Sequence, residues 1–316
     1  MSDPDDLLRA ALAHHQRGQL EQAKAIYQQI LQRNASEPNA LNLLGMVHHA
    51  QGRQQQAEEL IRRAIAAAPD VPGFHNNLGT VLLAQRRTDA AEEALRAAAA
   101  LQPDYPEAHS NLGVALLGQG KVEEAIASIV RALELRHHYP AARNNLGNAL
   151  RARYLYREAA QCYLDALAQQ PNYPEAHSNL AIALLALADA PAAEAEARRA
   201  IELQPDHLGA FLTLGVALEQ QGRKGDAVET YRAAVRLRPN ARGLRFQLAA
   251  LTGEEAFDSV PPELVASGFD NYADTFDRHL VDGLKYRAPQ LLIDAIAAAT
   301  RGGGAGGAGG AGGGSG

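Results

Sequence analysis

Short apolar runs built around one small residue recur along most of the chain. LLGMV, NLGTV, NLGVA, NLGNA, NLAIA and TLGVA place Gly45, Gly79, Gly113, Gly147, Ala181 and Gly215 at steps of 34 residues. Twelve positions after each lies an alanine, Ala57, Ala91, Ala125, Ala159, Ala193 and Ala227, and the register runs back to Ala23. Proline opens most units, at Pro4, Pro38, Pro72, Pro106, Pro140 and Pro174, and a second proline closes several, at Pro69, Pro103, Pro171, Pro205 and Pro239. Proline suits the first turn of a helix, where its missing N–H is not needed, and stops a helix elsewhere. The pattern predicts one helix hairpin per unit. Helix A is entered at the proline, the small residue lets helix B approach, QGR or GQGK makes the turn, and helix B carries the alanine. Glu58 and Glu59, Glu92 and Glu93, and Glu123 and Glu124 fall early in helix B, with Arg62, Arg96 and Arg131 late, a polarity that complements the helix dipole. The carboxylates of helix B read as a solvated face.

The period and its marks resemble the tetratricopeptide repeat, whose helix pairs stack into a superhelix. The resemblance implies an all-α, right-handed α-solenoid of stacked helix hairpins, with about seven pairs and a capping helix over 4–251. The chain departs from the pattern where Ala35 and His137 replace the closing proline, and where Tyr154 and Ala188 replace the turn glycine.

Such an array presents a long concave groove lined by helix A, so function is sought where packing does not dictate the residue. Just before the Leu-Gly pair lie Asn77, Asn111, Asn145 and Asn179, and Asn76, Asn144 and Asn148 add further amides to the same helices. The NNLG and SNLG units resemble the arrays of O-linked N-acetylglucosamine transferases, and that resemblance implies an asparagine ladder that clamps a peptide backbone. A carboxamide supplies one acceptor and two donors, enough for both the C=O and the N–H of a peptide unit. Layers about 10 Å apart and an extended chain rising about 3.3 Å per residue would put one rung at roughly every third peptide residue. The other reading has these asparagines bonding within the array, tying one hairpin to the next. No lysine lies in the first three turns of any helix A, which disfavours a carboxylate clamp for acidic tails.

His75, His109 and His177 share one register. A metal needs ligands converging to about 2.1 Å, and side chains on successive parallel helices diverge, so no metal site is expected. The neighbours His14-His15, His48-His49 and His137-His138 do not share a helix face. No nucleophile turn with a Ser, His and Asp arrangement is present.

Composition narrows the partners. The 316 residues are 47% hydrophobic but only 5% aromatic, with no tryptophan, which disfavours one large globular core. A net charge of −6 argues against nucleic acid, whose binding rests on clustered Lys and Arg. The acidic start MSDPDDLLRA has no apolar signal region, and no stretch reaches about 18 apolar residues. No membrane insertion is expected, and the location implied is cytoplasmic. Cys162, the one cysteine, allows no internal disulfide and no thiolate cluster.

The repeat ends near residue 251, and a polar connector covers 252–268. Beyond it Phe269, Tyr272, Phe276, Leu280 and Leu284 fall three or four residues apart, a stripe on one helix face. Gly283 ends that helix and Pro289 starts another bearing Leu291, Leu292, Ile293 and Ile296. The stretch FDNYADTFDRHLVDGLKYRAPQLL resembles the lead-in to the catalytic domain of bacterial proteins that fuse tetratricopeptide repeats to a class I S-adenosylmethionine-dependent methyltransferase. The matching residues are Phe269, Tyr272, Phe276, Asp277, His279, Tyr286 and Arg287. The resemblance implies a truncated methyltransferase-like segment at 269–300, followed by a Gly/Ala-rich linker or expression scar at 301–316. Neither a strand nor a helix flanks the tail glycines, so they form no nucleotide loop, and no cofactor is expected. The expected role is a non-enzymatic scaffold that binds a protein or extended peptide. The alternative is a fragment of such a methyltransferase.

Overall fold

The structure, a computed structural model, describes residues 4–253, and every regular element within them is an α-helix. The connector after residue 253, the lead-in at 269–300 and the tail at 301–316 lie outside the described residues. The described residues divide into two compact units, 4–153 and 154–253. The first contains α1 (Pro4–Gln16), α2 (Leu20–Arg33), α3 (Pro38–Ala50), α4 (Gln54–Ala67), α5 (Pro72–Ala84), α6 (Thr88–Leu101), α7 (Pro106–Gly118), α8 (Val122–Leu135) and α9 (Pro140–Ala152). The second contains α10 (Tyr156–Gln169), α11 (Pro174–Ala186), α12 (Ala190–Leu203), α13 (Leu208–Gln220), α14 (Lys224–Leu237) and α15 (Arg242–Thr252). In the first unit α1–α2, α3–α4, α5–α6 and α7–α8 pair as A–B hairpins and α9 is a further A helix, while in the second α10 is a B helix and α11–α12 and α13–α14 pair. This is the all-α solenoid of consecutive hairpins that the repeat register predicts.

The proline marks act as expected, sitting in the first helical turn of α3, α5, α7, α9 and α11. Each A-to-B turn places one residue in the left-handed region. Gly18, Gly52, Gly120 and Gly222 do so with φ between 73° and 76°, while Arg86, Tyr154 and Ala188 hold φ of 59°, 62° and 62° without being glycine. The next residue donates its backbone N–H five residues back, as from Arg87 to Leu82, Lys121 to Leu116 and Asp189 to Leu184 at 2.9–3.0 Å. These are Schellman closures, which satisfy otherwise orphaned helix carbonyls. Arg86 is a departure the sequence register did not flag.

The small residue of helix A faces helix B at its closest point. A Cβ on Gly113 would lie 2.3 Å from Ile129 Cγ1 and 3.0 Å from the Ala125 carbonyl oxygen. On Gly79 it would lie 2.4 Å from Leu95 Cγ, on Gly45 2.7 Å from Ile61 Cγ1, and on Gly215 2.2 Å from Tyr231 Cε1. All seven alanines of the helix B register, from Ala23 to Ala227, are fully buried. Where the small position is Ala181, the residue sixteen further on is Ala197, and both are fully buried in one cluster. Volume is therefore traded across the crossing, a large residue against glycine or alanine against alanine.

Successive hairpins are also joined by charge. Glu58 accepts from Gln85 (2.9 Å), Arg87 (2.7 Å) and Arg62 (3.0 Å). Glu92 accepts from Gln119 (2.8 Å), Lys121 (2.9 Å) and Arg96 (2.7 Å). In the second unit Glu194 accepts from Gln221 at 2.7 Å and Arg223 at 2.8 Å and pairs with Arg198. These side chains are only 15%, 13% and 8% exposed. The solvated reading of helix B is thereby corrected for these three carboxylates, which bind a B helix to the next hairpin's turn.

Candidate functional site

The candidate site lies on the A helices of the first unit. There α3 packs on α5, α5 on α7 and α7 on α9, whereas the backbones of α4 and α6, and of α6 and α8, approach less closely, the latter pair meeting through the Arg96–Glu124 ion pair at 3.1 Å. Helices that draw together on one side make that side the inner one. The seam is bridged by amides spaced 35 residues apart. Asn77 Nδ2 donates to Asn42 Oδ1 at 3.0 Å, Asn111 Nδ2 to Asn76 Oδ1 at 3.0 Å, and Asn145 Nδ2 to the Ser110 hydroxyl at 3.2 Å. Asn111 Nδ2 also lies 3.4 Å from Thr80 Oγ1.

Of the two readings open at the sequence level, the tie between hairpins is thus realised for Asn77, Asn111 and Asn145. It does not use up the amides. Asn42 and Asn76 are 5% and 6% exposed and take part only through Oδ1, yet their nitrogens are not sealed from solvent. Asn77, Asn111 and Asn145 each engage Nδ2, leaving Oδ1 available. The seam therefore offers both donors and acceptors, without charge. Asn144 is buried and Asn148 half-buried on α9, and Asn179 is half-buried on α11 in the second unit. Asn42 and Ser110 were not among the expected site residues. Their signal was present in the 35-residue spacing between polar residues, one position off the repeat period.

The shared histidine register is structural. His75 Nε2 lies 2.7 Å from the Pro69 carbonyl, His109 Nε2 2.9 Å from that of Pro103 and His177 Nε2 2.9 Å from that of Pro171. His177 Nδ1 also meets Glu196 Oε2 at 2.6 Å. Burial disfavours its charged form, but the Glu196 hydrogen bond and the Pro171 carbonyl outweigh burial, and its pKa is raised. Among the described residues no three His, Cys, Asp or Glu side chains converge on a common point. Cys162 is half-buried and forms no disulfide among the described residues.

The charge network has matching titration. Hydrogen bonds from Lys121 first, then Arg96, pull the Glu92 carboxyl down to about 2 against burial. Burial pushes Glu58 and Glu194 up, but hydrogen bonds outweigh it and both are lowered, by Gln85 and Arg87 at Glu58 and by Gln221 and Arg223 at Glu194. Among the described residues no helix is long and apolar enough to cross a membrane.

Comparison with known proteins agrees with this architecture. A tetratricopeptide repeat from Parabacteroides merdae superposes with a TM-score of 0.63 at 16% identity, covering 79% of this chain and 99% of that one. The APC/C hetero-tetramer Cut9–Hcn1 superposes at 0.66 with 15% identity, covering 92% of this chain and 55% of that one. The Pseudomonas aeruginosa pilF structure gives 0.54 at 25% identity, covering 66% and 94%. These likenesses concern the fold. A search of curated proteins finds no match. The tetratricopeptide repeat profile matches residues 8–72, 76–140, 144–207 and 178–242, most of the chain. A 34-residue period, glycine-against-large-residue crossings and this profile lead to one assignment: the chain belongs to the tetratricopeptide repeat family.

Proposed function

We propose that the chain is a peptide-binding scaffold, recruiting a protein partner through an extended segment laid along its A helices. The residues assigned to peptide binding are Asn76, Asn77, Asn111, Asn144, Asn145 and Asn148 in the first unit and, separately, Asn179 in the second. The observation that supports this most is the partial use of the seam amides. Nitrogens of Asn42 and Asn76, and oxygens of Asn77 and Asn111, are left available after the hairpins are tied together. A peptide unit needs one donor and one acceptor, and such a row supplies both wherever the chain runs.

The test starts from a random 12-residue peptide library displayed on phage and selected on the full chain. Each selected peptide is then titrated against the Asn77→Ala and Asn111→Ala variants. The affinity is expected to fall at least tenfold in the double variant. Stability should drop by only about 0.5–1.5 kcal/mol for each seam bond lost. A lowered melting temperature with unchanged affinity would leave the asparagines as ties and nothing more.

A second reading, the recruiting arm of a methyltransferase fused to tetratricopeptide repeats, is favoured by the run from Phe269 to Arg287. It predicts that partners captured by the array are methyl acceptors of the relative that carries the catalytic domain. Adding such a domain in trans with labelled S-adenosylmethionine, and finding no methyl transfer to a captured partner, would reject it.

A further inference from the structure

Three consecutive A helices of the first unit, α3, α5 and α7, are poor in charge. α3 and α5 contain no Asp, Glu, Lys or Arg, and α7 contains only Glu107, which Arg136 holds at 2.7 Å. Other ion pairs in this part of the unit lie on the B helices and turns, at Glu58, Arg62, Arg87, Glu92, Arg96 and Lys121. The uncharged stretch ends at α9, which carries Arg143 and Arg151. Besides Glu107, the polar groups within that stretch are amides, hydroxyls and the imidazoles of His48, His49, His75 and His109, the last two bonded to the Pro69 and Pro103 carbonyls, and Asn42 and Asn76 are about nineteen-twentieths buried with their nitrogens unpartnered.

We infer that the face formed by α3, α5 and α7 selects an uncharged extended segment and rejects acidic or basic ones. The inference rests on the peptide-binding reading above and adds the chemistry of the occupant. Bringing a charged side chain against this seam removes it from water where no opposite charge waits, and an uncompensated charge is costly to desolvate. A neutral peptide loses only backbone hydration there, and the amides restore its hydrogen bonds. Recognition of this kind does not depend on salt, because no ion pair is formed.

Three fluorescently labelled pools of capped 12-residue peptides test it on the full chain. One is random over Ser, Thr, Asn, Gln, Ala, Val, Leu and Tyr, and the others fix Glu or Lys at every third position. The neutral pool should bind at least tenfold more tightly than either charged pool, equally at 50 and 500 mM salt. Its binding should be lost in the Asn76→Ala, Asn111→Ala double variant. A second variant, Thr80→Lys, keeps the seam asparagines and gives the face a charge, and it should admit the Glu pool. If a charged pool binds as well as the neutral one and still depends on Asn76 and Asn111, the selectivity is overturned and the binding face stands. If no pool shows binding that depends on those asparagines, both fall.

Discussion

Replacing Gly113 with alanine should destabilise the array, and replacing Ile129 with alanine should cost less in that variant than in the parent. The new methyl would sit 2.3 Å from Ile129 Cγ1, 2.9 Å from Cδ1 and 3.0 Å from the Ala125 carbonyl oxygen. Carbon atoms rest at about 3.5–4.0 Å, so the overlap exceeds about 1 Å. Ile129 is fully buried and, being β-branched on a helix, has one strongly preferred rotamer, so it cannot swing away. The helices must part instead, at the upper end of the overpacking range, about 2–3 kcal/mol. Alanine is better than glycine inside a helix by about 1 kcal/mol. The single variant should therefore lose about 1–2 kcal/mol. Ile129→Ala alone leaves a cavity and should cost about 2–5 kcal/mol. In the double variant the clash is gone, the helix gain remains and the added methyl occupies part of the cavity. Its loss should fall short of the sum of the single losses by about 2 kcal/mol, within the range seen for touching residues. The Ala181 and Ala197 pair already realises this arrangement in the second unit. Urea titrations of all four proteins, followed by circular dichroism and fitted to a nearest-neighbour description, give the coupling, because repeat arrays depart from two-state behaviour. Additivity within about 0.5 kcal/mol, or a Gly113→Ala variant more stable than the parent, would refute the volume trade.

Ala188→Gly relieves a left-handed turn residue at φ 62° and should raise stability by about 0.5–1 kcal/mol after the extra unfolded-state entropy of glycine is deducted; an unchanged urea midpoint counts against strain there. The Glu92 carboxyl has a folded pKa of about 2, below its ordinary value, so its contribution is complete above the ordinary carboxylate range and is lost as pH falls through that range towards 2. The stability gap between the parent and Glu92→Gln should be constant from pH 6 to 8 and shrink as pH drops from about 5, and a gap independent of pH would show that the charge does not matter. His177 runs the other way: its folded pKa is raised above 6.5, so its contribution is complete below 6.5 and disappears as pH rises through the folded value. Relative to His177→Gln, the parent should lose melting temperature on going from acidic to alkaline buffer, and parallel melting curves would reject a charged imidazolium between Glu196 and Pro171.

The scaffold was legible because a period of 34 residues puts equivalent residues in equivalent surroundings. Gly113 and Ala125 carry the same message as Gly45 and Ala57, and six copies outweigh local noise. The turn at Arg86 was hidden for the opposite reason. Residues 85–87 read QRR and contain no glycine, and only the register of Gly52 and Gly120 on either side betrays the left-handed conformation. Glu58 and Glu92 were misjudged because a glutamate early in a helix is well explained by the dipole alone. What fixes these two is Gln85 and Gln119, each 27 residues later and meaningful only once the hairpins are stacked. The seam asparagines were legible as residues and not as roles. An amide that ties two hairpins and one that faces a ligand are the same letter, and Asn77 does the first through Nδ2.

The placement of charge and amide on opposite parts of the hairpin has a physical basis. Where the A helices draw together, a carboxylate or guanidinium would be desolvated on both sides, at a cost its partner recovers only in good geometry. An amide pair at the same place forfeits far less, since each buried group needs only one neutral hydrogen bond. At the turns there is more room, and Glu92 collects three donors while Lys121 and Arg96 keep 43% and 53% of their side chains in water. Ion pairs that stay partly hydrated are inexpensive to form, and several converging on one carboxylate outperform an isolated pair. The close approach that makes the repeat stack thus leaves α3 and α5 polar but without Asp, Glu, Lys or Arg. That same restriction is what would give the proposed peptide-binding face its chemistry.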